Sequence, residues 1–212
     1  MKNIFLLFTC VALLFVSCDG DAIDGEQGSV TLNFKADYNG QSLMLNENYN
    51  LNGDTILFTT FKYYVSNLSM GNQEFADILL IDAANDDNTY HYELPVGNYD
   101  NIEMGLGVDA IDNAKSPSIY ANEHPLSFMQ NNYWGMLNSY VFIKIEGFFI
   151  QNGVQTPIAY HVGSDPYYRN FSAAQNLQIV QNTNQTIDVV VDVNNVLQNV
   201  NLPTDADTHT VN

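Results

Sequence analysis

The feature that most constrains the fold is a succession of short segments in which apolar and polar residues alternate. From Val30 to Tyr38, every second residue is apolar or aromatic, so one face of an extended segment would be buried and the other solvated. Similar segments rich in Val, Ile, Phe and Tyr recur along the chain, separated by Asn, Gly, Asp and Pro. The predicted strands are 29–38, 78–81, 90–94, 99–108, 140–150, 158–162, 177–180 and 187–193, together with 56–70, which is either one long strand or a bent pair of strands.

Many short strands separated by turn residues are typical of a sandwich or barrel. We therefore expect one all-β domain over residues 28–212, a single antiparallel β-sandwich with Greek-key-like connections. The segment from Asp109 to Asn132 lacks alternation and contains two prolines, so it is expected to be one long irregular loop. The pattern leaves room for helix only as single turns at 172–176 and 194–199.

The N-terminus has the features of an export signal. Lys2 is followed by an apolar run over 4–16, and a small residue precedes Cys18. The run is too short to span a bilayer, which needs about 20 apolar residues. We expect a lipoprotein signal peptide at 1–17, an acylated Cys18 that anchors the chain in membrane lipid, and a flexible tether over 18–27. Ordinary secretion with a free Cys18 is the alternative. The lipoprotein would lie at the cell envelope, on the periplasmic or cell-surface face of the outer membrane.

Cysteine content and charge exclude several kinds of site. The only cysteines are Cys10, inside the predicted signal, and Cys18, so the mature domain has no disulfide and no thiolate for a metal. A metal would need His, Met, carboxylate or carbonyl ligands. With 24 Asp and Glu against 6 Lys and Arg, the formal charge of −18 argues against nucleic acid and against electrostatic docking on anionic lipid.

No residue pattern indicates catalysis. The chain has no recognisable nucleophile motif, phosphate-binding loop or metalloprotease helix, and we expect that it is not an enzyme. Its four histidines are the remaining candidates for chemistry: His91, His124, His161 and His209. His161 stands where a predicted strand meets a Gly turn, a position that suits a structural residue as well as a metal ligand. Two imidazoles that converge would suit copper, but the sequence does not decide which histidines meet.

Short motifs follow one another along most of the chain. They are Val30–Phe34 with Asn39–Leu43, Phe61–Leu68, Leu94–Tyr99, Gly105–Asp109, Tyr133–Tyr140 with Lys144–Gly147, His161–Ser164, and Thr208–His209. In this order they resemble the MbnP-like family of copper-binding periplasmic proteins and lipoproteins. Each motif is weak alone, but their common order over residues 29–210 makes the resemblance specific.

The resemblance implies a β-sandwich that holds copper through histidines. His161 matches a family ligand, and His209 is a second candidate. A Trp of the family motif can be oxidised to kynurenine by a partner di-haem, peroxidase-like enzyme, and the matching residue is Trp134, the only Trp in the chain. Without the resemblance, Trp134 would be interpreted as a large packing aromatic.

The chain also departs from the family pattern. Met136 replaces the second Trp of the motif, which some relatives replace with a His ligand; a thioether there would suit Cu(I), so Met136 is a third candidate ligand. Ala114 stands where the family has a His. The predicted function is therefore a copper-binding lipoprotein for uptake, storage or handling. The alternative is a metal-free, surface-exposed module that binds glycan or protein.

Overall fold

The computed structural model describes residues 25–198, 200–201, 204–205 and 207–210, with the backbone alone at 208–210. The predicted signal peptide, Cys18 and most of the tether lie outside the described residues. No helix in the described part of the chain is both long and apolar enough to cross a membrane.

The structure consists mainly of β-strands. They are β1 (Gln27–Tyr38), β2 (Gln41–Ser42), β3 (Asn48–Leu51), β4 (Asp54–Met70), β5 (Gln73–Asp82), β6 (Thr89–Pro95), β7 (Gly97–Leu106), β8 (Tyr133–Trp134), β9 (Ser139–Gln151), β10 (Val154–Gly163), β11 (Arg169–Ile179), β12 (Asn184–Asp192) and β13 (Asp207–Thr210). Two short helices, α1 (Ala110–Asn113) and α2 (Val193–Val196), and three 3₁₀ turns at Pro117–Ile119, Phe128–Gln130 and Asp165–Tyr167 complete the described elements.

The strands form two sheets. The smaller sheet has the order β12–β1–β2, with β6 also paired to β1; the larger has the order β11–β7–β4–β9–β10–β13, with β3 and β5 paired to β4 and β8 paired to β9. The long strand β4 organises the larger sheet, since β3 and β5 follow one another along one of its edges and β9 and β7 along the other. Breaks in register along β4 let this one strand bend between its partners.

Alternation along the strands builds the main core between the sheets. Val30, Leu32 and Phe34 of β1 belong to the same buried cluster as Phe58 and Phe61 of β4. Burial of a large apolar side chain contributes roughly 1.5–3 kcal/mol, so this cluster is the chief source of stability in a domain without disulfides.

A second, smaller cluster fixes the segment from Asp109 to Asn132 on the outer face of the larger sheet. Leu126 is fully buried there with Tyr64 and Tyr140. The Tyr64 hydroxyl donates to the carbonyl of Pro125 at 2.9 Å, and the Tyr140 hydroxyl donates to that of Leu126 at 3.0 Å. The predicted irregular loop is thus tied down by two buried hydroxyls.

The all-β sandwich is confirmed, and the helical turn predicted at 194–199 is present as α2. The turn predicted at 172–176 is wrong, because these residues belong to β11, where pairing with β7 outweighs local preference. Two pairs, β1 with β12 and β10 with β13, are parallel within an otherwise antiparallel arrangement. Each joins strands that are distant in the chain, as parallel pairing requires.

Candidate metal site

A row of ionisable residues crosses five strands of the larger sheet. Successive strand registers place the following residues directly beside one another, from β5 through β4, β9 and β10 to β13: Asp82, Lys62, Lys144, His161 and His209. Residues that are partners in register lie on the same face of a sheet. This face is opposite to the main core, which receives the alternate residues of β9, such as Ile145. The topology therefore brings two of the four histidines to adjacent positions.

His161 is held by a carboxylate. Its Nε2 lies 2.9 Å from Oε1 of Glu146, which stands two residues beyond Lys144 on β9. The His161 side chain is 12% exposed and that of Glu146 is 33% exposed, so the contact is partly shielded from solvent. Shielding strengthens such a contact relative to a pair on the open surface.

Glu146 is itself surrounded by donors. Its Oε2 accepts a hydrogen bond from Oγ1 of Thr60 at 3.1 Å, and its Oε1 lies 3.4 Å from Nζ of Lys144. Burial raises the pKa of Glu146, but the charge of Lys144 and the hydrogen bonds from His161 and Thr60 outweigh it, so the pKa lies below its usual value. The group is therefore a carboxylate at neutral pH.

Trp134 lies beside the imidazole. The two ring centroids are 6.0 Å apart with the planes inclined at 47°. The indole also lies over Gly163, where a Cβ would come within 2.9 Å of a Trp134 ring carbon and 2.5 Å of the Tyr140 carbonyl oxygen. Only glycine fits this position without displacement. The motif His161–Ser164 thus supplies both neighbours of the indole, the His161 imidazole and the Gly163 backbone, two residues apart on one strand.

A buried amide fixes the strands around the indole. Asn113, 6% exposed, accepts hydrogen bonds through Oδ1 from the backbone N–H of Tyr140 at 2.9 Å and from the Ser139 hydroxyl at 3.2 Å. Its Nδ2 donates to Asp165 at 2.8 Å, and the N–H of Ser164 donates to Ser139 Oγ at 2.9 Å. The end of α1, the start of β9 and the turn after β10 therefore form one connected unit.

The other predicted site residues are placed differently. Met136 is 97% exposed in the turn after β8, so the structure does not pack its thioether against His161.

His91 lies in the smaller sheet with Nδ1 2.9 Å from Oγ1 of Thr31. His124 stacks on Tyr120 with a centroid separation of 4.1 Å. His91 and His124 thus have structural contacts, and His161 and His209 are the two that meet in register.

The available donors fit copper. No group of three or more His, Cys, Asp or Glu side chains converges as a ready metal site within the part of the chain whose side chains are described, which leaves out the His209 ring. Imidazole nitrogens at 161 and 209 are nevertheless donors that copper accepts well, and copper has the highest affinity among the divalent first-row metals for such sites.

Lys144 and Glu146 were not predicted as site residues, although both lie in a motif used for the resemblance. A signal was present in the sequence. They are the only charged residues in the strongly apolar run from Tyr140 to Ile150, and their spacing puts them on one face of a strand. Charged side chains that are mostly covered usually need partners, which the structure supplies.

Comparison with known proteins gives one family. The model of the MbnP family matches residues 27–211. Among solved structures, MbnP from Methylosinus trichosporium matches with 11% identity and a TM-score of 0.49, over 77% of this chain and 76% of that chain. No curated protein sequence matches this chain.

Proposed function

This chain belongs to the MbnP family, and we propose that it is a copper-binding lipoprotein of the bacterial cell envelope that takes up, stores or hands on copper. The observation that carries the proposal is the register of β10 with β13, which pairs the backbone of His209 with that of His161, whose own ring lies beside Trp134. Copper is the cargo in this proposal, and the chain has a binding role with no catalysis of its own.

The donor chemistry supports copper over harder metals. The mature chain has no thiol, and the paired positions offer imidazole, which suits copper, whereas Ca²⁺ and Mg²⁺ prefer oxygen ligands. His161 and His209 would hold the ion. The overall charge of −18 would attract cations to the domain without selecting among them.

Trp134 is the second part of the proposal. Its ring is half-buried between the imidazole and Gly163, and the adjoining turn residues Met136 and Leu137 are exposed, so an enzyme could approach the indole from this side. We propose that a di-haem, peroxidase-like enzyme oxidises Trp134 to kynurenine with peroxide as the oxidant, so that the indole C2–C3 bond is cleaved and C2 leaves as formate. That product would bring a carbonyl and an aromatic amine to a position where indole offers only an N–H donor.

Acylation of Cys18 would anchor the domain to the outer membrane, on its periplasmic or cell-surface face. Labelling with a radioactive fatty acid in the native cell tests this step. A labelled wild type and an unlabelled Cys18→Ala variant are expected, and a wild type without label would refute the anchor.

Copper content of the purified protein tests the site. We expect wild type to retain a stoichiometric amount after copper loading and desalting, and His161→Ala and His209→Ala to lose most of it. His91→Ala is the matched control, since it removes an imidazole from the other sheet. Equal copper in all four proteins would refute the paired site, and a wild type without copper would favour the metal-free glycan- or protein-binding module. Intact mass of protein from the native cell reports whether Trp134 is oxidised.

A further inference from the structure

We propose that Glu146 is the positioning residue of this site, accepting a hydrogen bond from Nε2 of His161 so that copper binds through Nδ1. The inference rests on the proposed function, because it assigns a donor atom for copper. It also makes a separate statement about the metal-free protein, namely that Glu146 fixes the tautomer of His161.

The proton assignment follows from the chemistry of the pair. An ionised carboxylate can only accept a hydrogen bond, so the Nε2 that lies 2.9 Å from Glu146 must carry a proton. A neutral imidazole carries one N–H, and its lone pair is then on Nδ1. Histidines that bind metals commonly donate their other N–H to a carboxylate in this way, which fixes ring orientation and raises ligand basicity.

Glu146 is suited to this role because other groups hold it in turn. Thr60 on β4 binds one carboxylate oxygen, and Lys144 lies beside the other. Lys144 is only 9% exposed and also donates from Nζ to the Asn131 carbonyl at 3.3 Å. The contacts come from strands β4, β9 and β10 and from the segment before β8. A side chain tied to rigid neighbours positions a ligand better than one on a mobile loop.

Direct coordination by Glu146 is the competing arrangement. In that case Nε2 of His161 and a carboxylate oxygen would both bind the ion. Carboxylate oxygen suits Mg²⁺, Ca²⁺ and Mn²⁺, whereas copper favours the imidazole. Thr60 and Lys144 also already contact the two carboxylate oxygens. We therefore infer that Glu146 does not bind the ion itself and instead accepts the hydrogen bond from His161.

The test compares wild type with Glu146→Ala and Glu146→Gln in the mature chain, with Glu93→Gln as control. Glu93 is an exposed strand glutamate in the smaller sheet. Long-range ¹H–¹⁵N spectra of the metal-free proteins, at a pH where His161 is neutral, report which ring nitrogen carries the proton. We expect Nε2–H in wild type and Glu93→Gln, a mixture in Glu146→Ala, and partial retention in Glu146→Gln, whose amide oxygen can still accept.

Copper titration against a chromophoric Cu(I) chelator completes the test. We expect affinity to fall by about 10–100-fold in Glu146→Ala, less in Glu146→Gln, and not at all in Glu93→Gln. A wild-type tautomer with the proton on Nδ1, or unchanged tautomer and affinity in Glu146→Ala, would overturn the positioning role. If the expected tautomers appear but wild type binds no copper, the copper assignment fails while the fixed tautomer stands. Circular dichroism of each variant shows that it is folded.

Discussion

The packing of Trp134 on Gly163 gives the sharpest test of the site's architecture. In Gly163→Ala, the new Cβ would meet a Trp134 ring carbon at 2.9 Å and the Tyr140 carbonyl oxygen at 2.5 Å. The carbonyl belongs to the backbone of β9 and cannot rotate away. Either the indole is displaced from the imidazole or β10 separates from β9 at this point.

The expected cost follows from two opposing effects. Overpacking a tight site costs typically 1–3 kcal/mol, while replacing glycine with alanine recovers about 0.4–1 kcal/mol through the unfolded chain. We therefore expect a net loss of about 1–2 kcal/mol, which for a domain of this size lowers the melting temperature by roughly 2–8 °C. Urea unfolding followed by fluorescence measures it, and Trp134, as the sole Trp, makes the emission a local reporter.

The turn between β8 and β9 supplies the control. Gly135 directly follows Trp134, and a Cβ there would meet no atom within 4 Å. Gly135→Ala should therefore leave both stability and emission close to wild type. If Gly163→Ala matched Gly135→Ala in stability and in fluorescence spectrum, the packing of the indole on Gly163 that holds it beside His161 would be refuted.

Three further changes test other contacts. Asn113→Ala leaves the N–H of Tyr140 and the Asp165 carboxylate without this partner and should cost about 1–3 kcal/mol in urea unfolding; a loss below about 0.5 kcal/mol would contradict its role. Folding lowers the pKa of Glu146, so the ionised carboxylate stabilises the folded protein above the usual glutamate pKa, and this stabilisation is lost as the pH falls through the lower folded-state pKa. Between about pH 6 and about pH 3, the melting temperature of wild type should therefore fall more than that of Glu146→Gln. An equal fall of melting temperature in the two proteins would contradict a lowered pKa of Glu146 in the folded state. Met136→Ala should change neither melting temperature nor Cu(I) affinity, since its side chain is 97% exposed; weaker Cu(I) binding at unchanged stability would restore Met136 as a ligand.

Much of the fold could be predicted because alternation has a direct physical cause. The strand over 29–38 alternates because one face meets the core, and β1 covers nearly the same residues. The prediction at 177–180 captured only the end of β11, whose earlier residues are almost all exposed and so show no apolar face. Parallel pairing of β1 with β12 depends on which distant strands meet, and local pattern carries no such information.

The site could be predicted only in part. His161 and Trp134 came from motifs, and the family is confirmed by its match over 27–211. Their closeness depends on the pairing of β8 with β9 and of β9 with β10, which only the assembled sheet defines. Glu146 was missed because a strand glutamate is usually solvated, and its partner histidine lies on another strand.

The short strand β13 has a consequence for how metal could be retained. It contributes four residues, pairs with β10 alone among the described strands, and carries position 209. An ion held by residues of both strands would act as a reversible cross-link between β10 and this short edge strand. Opening of that edge costs less than global unfolding, so detachment of β13 would provide a release route for the ion. Bound copper would in turn slow amide hydrogen exchange in β13 more than anywhere else in the domain.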